Sequence, residues 1–239
     1  MMKKNWFDSK VQEFSSIGGY QKPELNENSL KLDSNENYVL SKQFQNDIVS
    51  GARKNSDVRE YPLGGVERLI QMISKFVKVP SSMIGIGNGS DQILDLILSN
   101  FASKQTKVLT SNPTFGFFEE RCKLYSIPLI RIPFSNEMKL DVEEFIKESK
   151  NADILYLDSP NNPTGFQFSK IEIKKLIKSF EGMIIIDEAY GEFSDYSLSS
   201  LVKTQNNLIV VRTLSKSFGM AGLRLGYFVA NKKFTDAFL

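Results

Sequence analysis

The stretch Arg212-Thr-Leu-Ser-Lys-Ser-Phe-Gly-Met-Ala-Gly-Leu-Arg-Leu-Gly226 sets an amine, Lys216, between hydroxyls just after the apolar run Leu208–Val211. Glycines follow it, and a second cation, Arg224, stands further on. A lysine at the end of a buried strand can form a Schiff base with an aldehyde cofactor, while Ser215 and Arg224 grip an anionic group beside it. Taken singly, a lysine such as Lys216 is far more often a surface-loop residue, so matching groups must be found elsewhere.

Met183-Ile-Ile-Ile-Asp-Glu-Ala-Tyr190 supplies one. Asp187 follows directly on an apolar run and emerges where an unpaired buried charge is costly, so it needs a cation. A protonated pyridine nitrogen is such a cation, and keeping it protonated makes pyridoxal phosphate (PLP) an electron sink. A helix cap or surface aspartate is the alternative. Asp158-Ser-Pro-Asn-Asn-Pro-Thr-Gly165, again just after an apolar run, uses two prolines to hold a tight turn that presents the Asn162 amide towards the strand ends. An ordinary Asn-Pro turn reads the same way. In Ile84-Gly-Ile-Gly-Asn-Gly-Ser-Asp91, glycines including Gly89 let backbone amides approach a phosphate at the positive end of a helix. This is no dinucleotide fingerprint, because Ser90 stands where the last glycine belongs, and no Gly-Lys-Ser/Thr is present to make a P-loop.

These groups need a scaffold. Short apolar runs predict strands at Lys107–Thr110, Leu129–Pro133, Ile154–Leu157, Met183–Ile186, Leu208–Val211 and Tyr227–Ala230. Helical spacing predicts helices at Val66–Val77, Ile93–Phe101 with Ser90 and Asp91 as caps, Phe115–Leu124, Val142–Lys147 and Ser169–Phe180. Alternating strands and helices imply an α/β fold: a three-layer α/β/α domain around a mostly parallel sheet, with ligands at the carboxyl ends of the strands. Residues 1–60 are polar and weakly periodic, with one helix around Gln43–Lys54, and read as an arm and connecting helix preceding a domain at 61–239. The last residues break off in what reads as the start of a helix, so a piece of a longer chain is expected.

Composition narrows the chemistry. The 239 residues are 41% hydrophobic and 24% charged, a globular mixture. Thirty Lys and Arg against 28 Asp and Glu leave a net charge of +2, too small to mark a nucleic-acid surface, and small molecules are the expected partners. A single cysteine, Cys122, points to a reducing compartment, and neither a membrane span nor a signal peptide is apparent, so the cytoplasm is expected. There is no histidine, which rules out Ser-His-Asp and Cys-His catalysis and the common zinc sites within this chain. Acid-base work falls to Lys, Tyr, carboxylates or a cofactor.

In their order, LDSNEN, YPLGG, GNGSDQ, PTFGFF, SPNNPTG, DEAY and TLSKSFGMAGLRLG resemble the fold-type I, aspartate-aminotransferase-like family of PLP enzymes, from about Tyr20 to the end of the chain. LDSNEN with YPLGG resembles its histidinol-phosphate branch, which works between glutamate and imidazole-acetol phosphate. The resemblance makes Lys216 the lysine that carries PLP and moves the substrate proton, and Asp187 the partner of the ring nitrogen. It sets Asn162 and Tyr190 at the phenolate oxygen and Phe115 over the ring. The phosphate falls to Ser90, Asp91, Thr213, Ser215 and Arg224. It further implies a homodimer in which Tyr61 reaches the neighbouring subunit's cofactor, with Tyr20 and Asn35 on the substrate side.

Three departures stand out. Phe115 replaces the usual Tyr, Tyr38 and Val39 follow NEN where relatives have Pro-Tyr-Gly, and the family's small C-terminal domain with its carboxylate-binding arginine is expected beyond residue 239. Other PLP enzymes on this scaffold, a threonine-phosphate decarboxylase or an aromatic aminotransferase, are the near alternatives. A catalytically silent PLP-binding relative and a nucleotide-binding α/β protein are more distant ones.

Overall fold

The computed structural model of the chain describes residues 5–17, 30–55, 57, 59, 61 and 65–239. Its centre is a sheet of seven strands among the described residues: β1 (Ile84–Gly87), β2 (Val108–Asn112), β3 (Leu129–Pro133), β4 (Ile154–Asp158), β5 (Met183–Asp187), β6 (Leu208–Thr213) and β7 (Gly226–Ala230), in the order β1-β7-β6-β5-β4-β2-β3. Strands β3, β2, β4, β5 and β6 run parallel. Strand β7 is antiparallel to both β6 and β1, so the parallel sheet carries an antiparallel margin.

The helices are α1 (Trp6–Ile17), α2 (Lys42–Asn55), α3 (Gly65–Val77), α4 (Gly89–Phe101), α5 (Gly116–Leu124), α6 (Val142–Glu148), α7 (Lys170–Ser179) and α8 (Lys232–Phe238). None is long and apolar enough to cross a membrane. Successive strand residues point to opposite faces, and the core divides accordingly. Leu155, Leu157, Ile184, Ile186, Leu208 and Val210 meet the apolar stripes of α3, α6 and α7. Ile154, Tyr156, Ile185, Ile209 and Val211 meet those of α4, α5 and α8. Both faces are covered, which is why MIIID and LIVV are apolar throughout. The three-layer α/β/α reading holds.

Several elements differ from expectation. Helix α1 lies in the segment read as an arm, because its apolar residues Trp6 and Phe7 face outward and gave little periodicity. Strand β1 occupies part of the glycine stretch. A Cβ at Gly85 would meet Phe228 at 2.2 Å, so glycine here makes room for a ring across the strand pair. Helix α4 begins at Gly89 with Asn88 at its cap, so Ser90 and Asp91 are first-turn residues rather than caps. Helix α7 carries a reciprocal cap, in which Ser169 Oγ accepts from Glu172 N and Glu172 Oε2 accepts from Ser169 N.

One contact fixes α4 against the margin of the sheet. A Cβ at Gly226 would lie 2.4 Å from the Gly89 carbonyl carbon and 2.5 Å from Ser90 N, both backbone atoms. Gly226→Ala is therefore expected to cost about 1–3 kcal/mol of folding stability. Gly116→Ala, with nothing within 4 Å of its Cβ, should change stability by less than about 0.5 kcal/mol. Urea denaturation of both variants checks this; a Gly226→Ala midpoint equal to that of the parent would refute the contact.

Candidate active site

The strands β4, β5 and β6 end side by side, and the segments that follow them line one cavity of about 360 Å³. At the end of β4, Asp158 organises the following turn: its Oδ1 accepts from Thr114 Oγ1 at 2.9 Å and Asn161 Nδ2 at 2.8 Å, and its Oδ2 accepts from Asn162 N at 2.8 Å. The Asn161 Oδ1 in turn accepts from Thr164 Oγ1 at 2.6 Å. With Asn161 tying the turn together, Asn162 is left to line the cavity.

At the end of β5, Asp187 is 2% exposed. Its Oδ1 accepts from Ala189 N at 2.9 Å and its Oδ2 from Tyr156 OH at 3.3 Å. The Tyr156 ring stacks on Phe118 with centroids 3.5 Å apart, which fixes the phenol's direction. Burial, followed by the charge of Asp158, pushes the Asp187 carboxyl up to about 7. Burial also raises Asp158.

After β6, Thr213 and Ser215 fold onto each other, with Thr213 Oγ1 2.9 Å from Ser215 Oγ and 3.1 Å from the donating Ser215 N. The loop closes through Met220 N donating to Leu214 O at 3.0 Å, and Gly219 adopts φ +61° inside it. Lys216 Nζ donates to the backbone carbonyl of Ser34 at 2.8 Å. Burial lowers the Lys216 pKa against the opposing pull of Asp91, Glu36 and Asp187. Residues Ser34 and Glu36 thus form a wall of the cavity. Asn35 Nδ2 donates to Tyr190 OH at 2.8 Å.

The remaining wall is cationic. Arg224, in left-handed backbone conformation at φ 51°, lays its guanidinium over Gly89, where a Cβ would meet Nη2 at 2.5 Å. Its Nη2 also donates to Asp91 Oδ2 at 3.1 Å, so the Asp91 carboxylate partners Arg224. Ser90, Phe115, Thr213 and Ser215 complete the lining. Behind it, buried Arg212 pairs with Glu188 at 3.5 Å and Glu192 at 2.6 Å, linking β6 to the segment that carries Tyr190.

The structure thus brings Ser90, Asp91, Phe115, Asn162, Asp187, Tyr190, Thr213, Ser215, Lys216 and Arg224 to one cavity, with Gly89 packed behind Arg224 and Asn35 against Tyr190. Tyr61 is 89% exposed and not among the cavity residues, and Tyr20 lies outside the described residues. Sequence reasoning missed Asp158 as a group in the site, the phenol of Tyr156 and the Ser34 carbonyl. Asp158 was signalled by its place at a strand end; a backbone carbonyl leaves no such signal.

The sequence profile described as "Aminotransferase class I and II" matches residues 22–239. The chain belongs to this family. It is 35% identical over 207 residues to the histidinol-phosphate aminotransferase of Pyrococcus furiosus, covering 86% of this chain and 60% of that protein. Among solved structures it resembles the histidinol-phosphate aminotransferase of Clostridium acetobutylicum at TM-score 0.75 and 28% identity, over 86% of this chain and 62% of that one. It also resembles the L-threonine-O-3-phosphate decarboxylase of Porphyromonas gingivalis, at TM-score 0.69 and 27% identity over 83% and 61%. The chain spans about 60% of the length of such relatives.

The raised Asp187 carboxyl gives a signed prediction for the ligand-free chain. Folding lifts this group from 3.8 to about 7, so the folded state binds its proton more tightly than the unfolded one. Its contribution to stability is fully present below about pH 4 and is lost as pH rises through about 7. Asp187→Asn is expected to stabilise the ligand-free chain at pH 8 by on the order of 2–4 kcal/mol, the gain vanishing towards pH 4. Denaturant titrations at the two pH values test it; a variant less stable than its parent at pH 8 sinks the argument.

Proposed function

We propose that this chain holds the PLP site of a histidinol-phosphate aminotransferase, moving an amino group between glutamate and imidazole-acetol phosphate in the cytoplasm. The observation that carries this is the convergence of the Lys216 amine, the enclosed Asp187 carboxylate and the Arg224 guanidinium on one cavity. The donor set fits the cofactor. Asp187, buried and without an ion-pair partner among the described residues, suits a ring cation. Ser90, Thr213, Ser215 and Arg224 suit a phosphate, and the absence of a side chain at Gly89 lets the Arg224 guanidinium lie against the start of α4 beside them.

Bound there, PLP supplies an electron-withdrawing ring that acidifies the substrate α-carbon. The chain supplies the rest. Lys216 would provide the amine for the cofactor's aldehyde carbon and a base for the α-proton, and burial lowers its pKa in the direction that favours the neutral amine. Asp187 would hold the proton at the ring nitrogen, Asn162 and Tyr190 would serve the phenolate oxygen and Phe115 the ring face, while the Asp91 carboxylate orients Arg224. Tyr20 and Asn35 belong to the substrate side, Asn35 acting through the Tyr190 hydroxyl. In this reading residues 1–60 are an arm and connecting helix on a PLP-binding domain at 61–239.

The substrate assignment is supported by the names of the relatives at 35% and 28% identity. Threonine-phosphate decarboxylation is the second reading, favoured by the likeness to the Porphyromonas gingivalis protein. Two measurements separate these ideas. Borohydride reduction with PLP is expected to fix a cofactor mass on the Lys216 peptide and nowhere in Lys216→Ala; a mass on another lysine refutes the site. With the full-length protein, histidinol phosphate and 2-oxoglutarate should yield glutamate. Carbon dioxide from threonine phosphate, with no glutamate formed, would favour the second reading.

The active unit in this reading is a homodimer, in which exposed Tyr61, outside its own chain's cavity, reaches the phosphate bound by the partner. Mixing full-length Lys216→Ala and Tyr61→Ala chains, each inactive, should restore part of the activity, because one site in each hybrid keeps both residues. Proven subunit exchange without recovery would refute the sharing.

A further inference from the structure

Strands β4 and β5 pair in register so that Asp158 and Asp187 are direct partners. In-register neighbours on parallel strands present their side chains on the same side, about 5 Å apart, and both residues line the cavity. Both are buried, at 7% and 2% exposure, and neither has an ion-pair partner among the described residues. Two like charges enclosed side by side oppose one another's ionisation unless a cation answers both.

The two are not equivalent. Asp158 accepts three short hydrogen bonds, from Thr114 Oγ1, Asn161 Nδ2 and Asn162 N. Asp187 accepts one of 2.9 Å from Ala189 N and a longer one of 3.3 Å from Tyr156 OH. Donors stabilise the ionised form, so Asp158 is the fixed charge of the pair and Asp187 the member that exchanges its proton. Pairs pushed apart in this way mark division of labour in a site.

We propose that Asp158 is a positioning residue for the ring nitrogen of the bound cofactor: a second carboxylate behind Asp187 whose charge strengthens the hold on the nitrogen's proton. This rests on the PLP reading above. The other ionisable groups around the pair are Tyr156 on β4, Tyr190 after β5, Lys216 after β6, Asp91 on α4 with its partner Arg224, and Glu36 on the 30–41 segment. Arg224 and Asp91 answer each other, as do Lys31 and Glu36. The Asp158 charge is thus the enclosed neighbour of Asp187 with no cation of its own.

The test follows PLP labelled with nitrogen-15 in the ring, bound to the chain and read by NMR against pH. The unmutated chain should keep the nitrogen protonated to about pH 9, and proton loss below about pH 8 overturns the proposal by itself. Asp158→Asn should move proton loss down by about one pH unit or more, a tenfold change in the equilibrium, as expected for removing one enclosed charge. Asp158→Ser, which keeps an oxygen for Asn162 N, should do the same if the amide variant folds poorly. Thr114→Val removes a hydrogen bond but no charge and should leave the titration in place. An equal shift in Thr114→Val, or none in either Asp158 variant, assigns Asp158 to the turn alone and overturns the proposal. The borohydride experiment separates the two levels: no cofactor on Lys216 refutes the functional reading and this proposal together, whereas trapped cofactor with an unmoved nitrogen signal refutes this proposal only.

Discussion

Asp187 is a carboxylate enclosed by the sheet and met, among the described residues, by two hydrogen-bond donors, one of them long. A charge held this way is costly unless something positive approaches from the open side. Much of the architecture serves to create that condition. The β5 strand is apolar up to its last residue because helices cover both its faces, and the chain turns acidic only where the sheet stops. A thinner fold would let water reach the carboxylate from behind, and its demand for a cation would disappear.

Register extends this single demand into a site. Because β4, β5 and β6 end together, Asn162, Tyr190 and Lys216 descend from adjacent strand ends onto the same space. Strand β7 then returns antiparallel and brings Gly226 against Gly89, which sets the first turn of α4 and the Arg224 guanidinium across from the carboxylates. Beneath, the buried Arg212 with Glu188 and Glu192 ties β6 to the segment after β5. Removing Arg212 would leave two neighbouring carboxylates without their shared cation, Glu188 among them fully enclosed.

The sheet was legible where burial makes a strand continuously apolar, as in ILYL, MIII and LIVV. It was illegible in β1, because Gly85 and Gly87 are small to admit Phe228 and Ile93, and a strand of alternating glycines looks like a loop. Helix α1 escaped because its large side chains face outward and contribute little to any core. The site read well wherever a reactive side chain followed an apolar run, as Lys216 and Asp187 do. It read poorly where the partner is a backbone atom or comes from far along the chain: the Ser34 carbonyl on Lys216, or Thr114 on Asp158. Such pairings are products of topology. The Gly89 and Gly226 contact belongs with them, since neither glycine alone announces the other.

The bond between Lys216 and the Ser34 carbonyl joins two regions 182 positions apart in sequence. An N–H of the amine serves as donor here whether the nitrogen is charged or neutral, so the bond persists through its titration. A backbone carbonyl cannot be altered by exchanging a side chain, which makes the position of the nitrogen a property of the path of the 30–41 segment rather than of any one residue in it. The polar arm is in this sense part of the frame that holds the lysine.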